Sequence, residues 1–150
     1  YVPPTTPEGA WDVTCLLVQP TSDIVATDFD GDGKLEILTF SKFHGDTLAI
    51  WHEGQTRDRY EQVWCDPQKR SFLHALWAAD LNGEKCAVIG NRKDGRDLLL
   101  VRYVDGEYTV DVIDHDLGPA NCMVYRHDGS DYIVAAYRET DQLALYKVVE

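Results

Sequence analysis

The sequence predicts an all-β fold of β-propeller type, with blades of four antiparallel strands and about three blades in the chain. Three observations predict it. A polar turn containing glycine, followed by a short β-rich run, occurs at residues 28–39, 80–90 and 126–136. An apolar, leucine-containing run follows each of them, at residues 46–51, 96–101 and 141–146. The spacing is 52 residues from Asp28 to Asp80 and 46 from Gly83 to Gly129. That gives a unit of about 48 residues, the period of one four-stranded blade.

Taken in order, residues 1–9 read as an N-terminal extension and residues 10–150 as the repeat region. Residues 10–18 resemble the strand at 60–65, with Cys15 and Cys65 at matching positions 50 apart. The first blade, residues 22–66, has strands near 22–28, 35–41, 47–52 and 59–65. The second, residues 72–115, has strands near 73–79, 86–91, 97–103 and 107–114. The third, residues 120–148, supplies strands near 121–126, 131–137 and 142–148 and stops one short. Residues 10–18 are expected to complete it, as an N-terminal strand does when it closes a ring. Residues 72–79 hold good helix formers, but their register with residues 21–27 makes them an innermost strand. Such a strand is buried on both faces and need not alternate, and its small alanines suit close packing.

Composition sets the outer limits. Apolar residues make up 44% of the 150, enough for a packed core. A net charge of −12 argues against holding a nucleic-acid backbone or an anionic membrane surface. The longest apolar run, residues 132–137, is far short of the roughly 20 residues of a membrane span. The chain opens on Tyr1 rather than Met, as a processed or shortened chain would. Cys15, Cys65, Cys86 and Cys122 form no CxxC pair and read as buried free thiols. Three blades leave a ring open, so the chain is expected to pair with a second copy or to be part of a larger propeller.

The strongest local signal is Asp28-x-Asp30-x-Asp32-Gly33-x-x-Glu36. Carboxylates at alternate positions around a tight turn converge on one point, the Lys34 carbonyl adds a donor, and Glu36 closes the shell. This count of hard oxygen donors suits Ca²⁺. An EF-hand would need an acid at the twelfth position, where Thr39 stands, and flanking helices, where residues 35–40 read as a strand. The site is therefore expected on a strand–loop–strand unit.

On these stretches the chain resembles the FG-GAP/VCBS repeat family of β-propellers, from about residue 20 onward. In that family the DxDxDG loop joins the first two strands of a blade and binds calcium. The resemblance implies this role for Asp28, Asp30, Asp32 and Glu36 alone, and a structural rather than catalytic ion. The second loop keeps Asp80 and Asn82 but is two residues shorter, and the third has Arg126 in the leading position. Both are expected to be tied by hydrogen bonds instead.

His74 precedes Asp80 by six residues, as Ser22 precedes Asp28. Equivalence across the units places His74, Asn91, Arg92, Asn121 and Arg138 at one mouth of a central channel, as candidates for ligand binding. His74, Arg92 and Arg138 also resemble the pattern of FG-GAP propellers attached to polysaccharide lyases and sugar dehydratases. There His74 would act as base or metal ligand, and the arginines would hold anionic or hydroxyl groups. Trp11, Trp51, Trp64 and Trp77 are read as packing between blades. The other histidines show no HxH or HExxH spacing. The leading expectation is a calcium-stabilised scaffold that binds carbohydrate or protein, with an enzyme as the alternative. Calcium loops suit an extracellular or cell-surface setting, whereas unpaired thiols suit the cytoplasm.

Overall fold

The computed structural model describes residues 3–42 and 44–149; residues 1 and 2 of the expected N-terminal extension lie outside them. Strands β1 (Thr21–Thr27), β2 (Glu36–Ser41), β3 (Thr47–Glu53) and β4 (Tyr60–Cys65) form one antiparallel sheet in chain order. Strands β5 (Ser71–Leu81), β6 (Glu84–Lys93), β7 (Leu98–Val104) and β8 (Glu107–Asp114) form a second. A third has three strands, β9 (Pro119–His127), β10 (Ser130–Tyr137) and β11 (Gln142–Lys147). No α-helix occurs among the described residues. The helix formers of β5 are overridden by an antiparallel ladder with β6 that runs from Ser71↔Lys93 to Leu81↔Glu84 with one bulge.

Two apolar clusters join the sheets. Leu38, Phe40, Leu48 and Ile50 meet Leu73, Ile89, Leu99 and Val101 between the first and second sheets. Val88 and Leu98 meet Cys122, Ile133, Ala135 and Tyr137 between the second and third. Burial therefore peaks on the second strands, which are flanked on both sides. The first strands are edges, and much of their length is open: Ile24 on β1, Trp77 on β5 and Met123 on β9 are exposed. The expected burial of an innermost strand on both faces does not hold here. Within its own sheet each first strand pairs on one side only, and these sheets do not close on themselves.

Residues 10–18 also depart from expectation. They add no strand to the third sheet, and β11 remains its outer edge. The segment instead lines a groove with Arg57, Asp58 and Arg59 at the β3–β4 turn. With the sheets open, nothing carries it from the first sheet round to the third. Two of the four thiols, Cys15 and Cys65, are exposed, while Cys86 and Cys122 are buried and burial pushes both up to about 12. Trp64 packs on the first cluster and Trp51 Nε1 donates to Thr39 Oγ1 at 3.0 Å, while Trp11 and Trp77 are largely exposed.

One irregularity repeats in all three sheets. The register skips one residue on each first strand: Ser22 on β1, His74 on β5 and Ala120 on β9. Each precedes an equivalent turn residue, Asp28, Asp80 or Arg126, by six positions. A bulge of this kind bends the strand and re-aims a side chain. The bends converge: the His74 ring donates from Nδ1 to the Ala120 carbonyl at 2.9 Å, and Ser22 and His74 line one small cavity.

The connection between the first two sheets is held by a buried polar network. Arg70 Nε donates to Asp66 Oδ2 at 2.8 Å, and Arg70 Nη1 lies 4.0 Å from Asp97 Oδ2. Asn91 completes it, accepting from the Ser71 N–H at 3.1 Å and reaching Asp97 Oδ2 at 3.5 Å. Removing one partner of such a pair strands the other charge away from water. Arg70→Met is expected to cost about 3–5 kcal/mol, read as a lower urea midpoint with an unchanged denaturant slope.

Candidate functional site

The acidic loop sits where β1 hands over to β2. Asp28 follows β1 directly and Glu36 opens β2, so strand pairing fixes both ends of the loop. Gly31 and Gly33 both take positive φ, at 75° and 88°, a backbone that other residues rarely adopt. The carboxylates organise the turn through the backbone. Asp30 Oδ1 accepts from the Asp32 N–H at 3.0 Å, Asp32 Oδ1 from Lys34 N–H at 2.8 Å, and Asp28 Oδ2 from Gly33 N–H at 3.1 Å.

Glu36 is fully buried. Its Oε2 accepts from the Phe29 N–H at 2.6 Å, while Oε1 has no hydrogen-bond partner. Asp28 Oδ1 is likewise buried without one. Burial pushes the Glu36 carboxyl up, against the lowering effect of the Phe29 N–H, and the nearby Asp30 and Asp28 push it further. A buried carboxylate oxygen without a donor carries a penalty of about 1–3 kcal/mol or more. Two of them facing one acidic turn make a set that a bound cation would satisfy.

His52 joins this cluster, and the sequence reading did not include it. One ligand atom each from Asp30, Asp32, Glu36 and His52 lie within 4.8 Å of one another. His52 Nε2 is 3.1 Å from Asp32 Oδ2 and 3.5 Å from Glu36 Oε1. Burial alone would lower the imidazole, but its bond to the Glu53 carbonyl and the carboxylates of Asp32 and Glu36 outweigh that and raise it. The signal lay in strand register: Ile37 pairs with Trp51, which sets Glu36 opposite His52 on β3. Of the five expected metal ligands, Asp30, Asp32 and Glu36 converge. Asp28 points a buried oxygen without a partner and also braces the loop, and Lys34 braces it through its N–H.

The equivalent turns of the other sheets are tied differently. Lys85 Nζ lies 2.7 Å from Asp80 Oδ2. The Asn82 N–H donates to Asp131 Oδ2 at 2.8 Å, and Arg126 lies 3.6 Å from Asp131 Oδ1.

At the other end of the first strands, about 20 Å along β1 from the acidic loop, the bulges open onto a second cluster. His44 stacks on Phe72 at 4.2 Å, with His74 at 5.2 Å from His44. The Arg92 guanidinium lies 4.9 Å and the Lys93 ammonium 5.0 Å from the Phe72 ring centre. Arg92 Nη2 is 2.6 Å from Glu139 Oε1, and Arg138 Nη1 is 3.6 Å from the same oxygen. A groove of about 600 Å³ opens here, with Phe72, Arg92 and Arg138 in its walls. His74, Arg92 and Arg138 thus lie at one end of the sheets. Asn121 lies beside them, next to the Ala120 carbonyl that His74 contacts. Asn91 turns inward to the Arg70 network instead. His44 belongs with this group although its sequence spacing gave no sign of it.

The chain matches no family model, and no curated protein matches it.

The acidic loop gives two measurable expectations. Saturating Ca²⁺ at about 100 times its dissociation constant should add about 2.7 kcal/mol, or roughly 5–10 °C in melting temperature for a domain of this size. Glu36→Gln removes the buried charge, so it should melt above the parent chain in chelator and lose the calcium response. Differential scanning calorimetry with and without Ca²⁺ reads both.

Proposed function

We propose that the chain is a set of FG-GAP/VCBS-type β-propeller blades that form a calcium-stabilised scaffold for binding carbohydrate. The observation that carries this reading is the division of the first strands. At one end, buried carboxylate oxygens without partners gather on the acidic loop. At the other, the bulged residues of three sheets meet beside an aromatic and cationic groove. An ion held about 20 Å from the groove acts on loop order and stability, not on a bound ligand. Asp28, Asp30, Asp32 and Glu36, with the Lys34 carbonyl, would hold Ca²⁺, and His52 would brace their carboxylates from β3. In this reading the three sheets are successive blades, and a second copy or further blades complete the ring beyond β11.

An enzyme of the lyase or dehydratase type is the second reading, favoured by one observation. The His74 Nδ1 donates to the Ala120 carbonyl, which leaves Nε2 as the ring atom for proton exchange. The His74 ring lies 6.0 Å from the Phe72 ring, over which the Arg92 guanidinium sits.

A glycan array read with and without chelator tests the scaffold. Glycan binding that survives His74→Ala, and a melting temperature that rises with calcium, are the expected results. A chain with neither glycan binding nor a calcium response would overturn the proposal. Turnover of a glycan by the parent chain, abolished by His74→Ala, would establish the enzyme in its place.

A further inference from the structure

We infer that the groove beside the His74 bulge selects an acidic sugar, holding the carboxylate of a uronate residue between Arg92 and Arg138. This rests on the carbohydrate-binding reading above and names its ligand class.

The charge of the groove runs against that of the chain. Arg92, Lys93, Arg96 and Arg138 line it with the acids Asp94 and Glu139, and Arg96 also pairs with Asp116 at 3.5 Å, in a chain of net charge −12. Four of its 14 cationic residues therefore face one opening. The two guanidiniums already converge on a carboxylate: Glu139 Oε1 is 2.6 Å from Arg92 Nη2 and 3.6 Å from Arg138 Nη1. Planar guanidinium forks match carboxylates in this way. Arg92 has further capacity, because its Nε is buried with no acceptor. Its head group is set by the Phe72 ring beneath it, and Phe72 is itself held at φ 63°. Positive φ at an aromatic residue is an outlier of the kind that collects at ligand-binding positions.

Glu139 is the displaceable member. It stands in a single 3₁₀ turn, Arg138–Thr140, with its side chain 32% exposed, whereas that of Arg92 is only 12% exposed. A ligand carboxylate that takes its place leaves the charge of the arginine pair unchanged while Glu139 turns to solvent. A neutral sugar has no group for that exchange. A nucleic acid is a poor fit, since it brings one charge per ≈ 1.7 Å of duplex against an acidic chain.

The test is an NMR titration with methyl β-D-glucuronide and methyl β-D-glucoside, which share a ring and differ at one carbon. Tighter binding of the glucuronide, by about tenfold or 1.4 kcal/mol, is expected. Arg138→Gln, at a side chain 70% exposed, should remove most of that preference. Glu139→Gln should strengthen glucuronide binding severalfold by removing the internal competitor, an effect that a merely structural role would not produce. Calorimetric melts of each variant confirm folding. Equal affinity for the two sugars, both lost on Phe72→Ala, would overturn the acidic ligand while sparing the carbohydrate reading. No response to either sugar, with the calcium stabilisation intact, would overturn both.

Discussion

A carboxylate buried with one oxygen unmatched is costly, and Glu36 is such a group. It opens β2, the strand that pairs with β1 and β3 and contributes Leu38 and Phe40 to the first core. Moving the carboxylate to water would pull this strand out of its register. The carboxyl is therefore retained at the loop end of the first sheet, and the loop around it must satisfy it. The Phe29 N–H does so for one oxygen. Asp30, Asp32 and His52 arrange themselves around the other. The geometry of the loop, the placement of β2 and the attachment of the first core to the second sheet all depend on how that oxygen is satisfied.

Much of this was legible in the sequence because it rests on local chemistry. Asp28, Asp30, Asp32, Gly33 and Glu36 lie within nine positions, and a tight turn brings them together whatever the rest of the chain does. Repetition at about 48 residues placed every strand from β1 to β11, even where the local propensity of residues 72–79 pointed to a helix. What escaped reading depends on contacts between distant segments. His52 reaches the acidic loop through the β2–β3 register. His44 reaches His74 by stacking from the β2–β3 connection. Asn91, expected at the groove, is drawn inward by Asp97 and Ser71, which no spacing rule reveals. The placing of residues 10–18 failed for a related reason: repeat counting says which strand is missing, but not whether the segment can reach the vacant edge.

The two polar assemblies of the molecule differ in kind. The Asp66–Arg70–Asp97–Asn91 group is closed, with one guanidinium between two carboxylates, buried at the junction of the first two sheets. Its members hold the connecting segment and offer nothing outward. The Arg92–Glu139–Arg138 group is open, with a half-exposed acid between two cations and a donor left over. The first is suited to fixing one conformation, the second to exchanging one carboxylate for another.

The bulge that recurs at Ser22, His74 and Ala120 has a consequence for how chemistry can vary on this framework. The kink is specified by backbone pairing, so the ladder does not depend on which side chain the bulge carries. A hydroxyl, an imidazole and a methyl group occupy three copies of the same slot without disturbing their ladders. Reactivity at this rim can therefore be rewritten one sheet at a time, like type set into an unchanged frame.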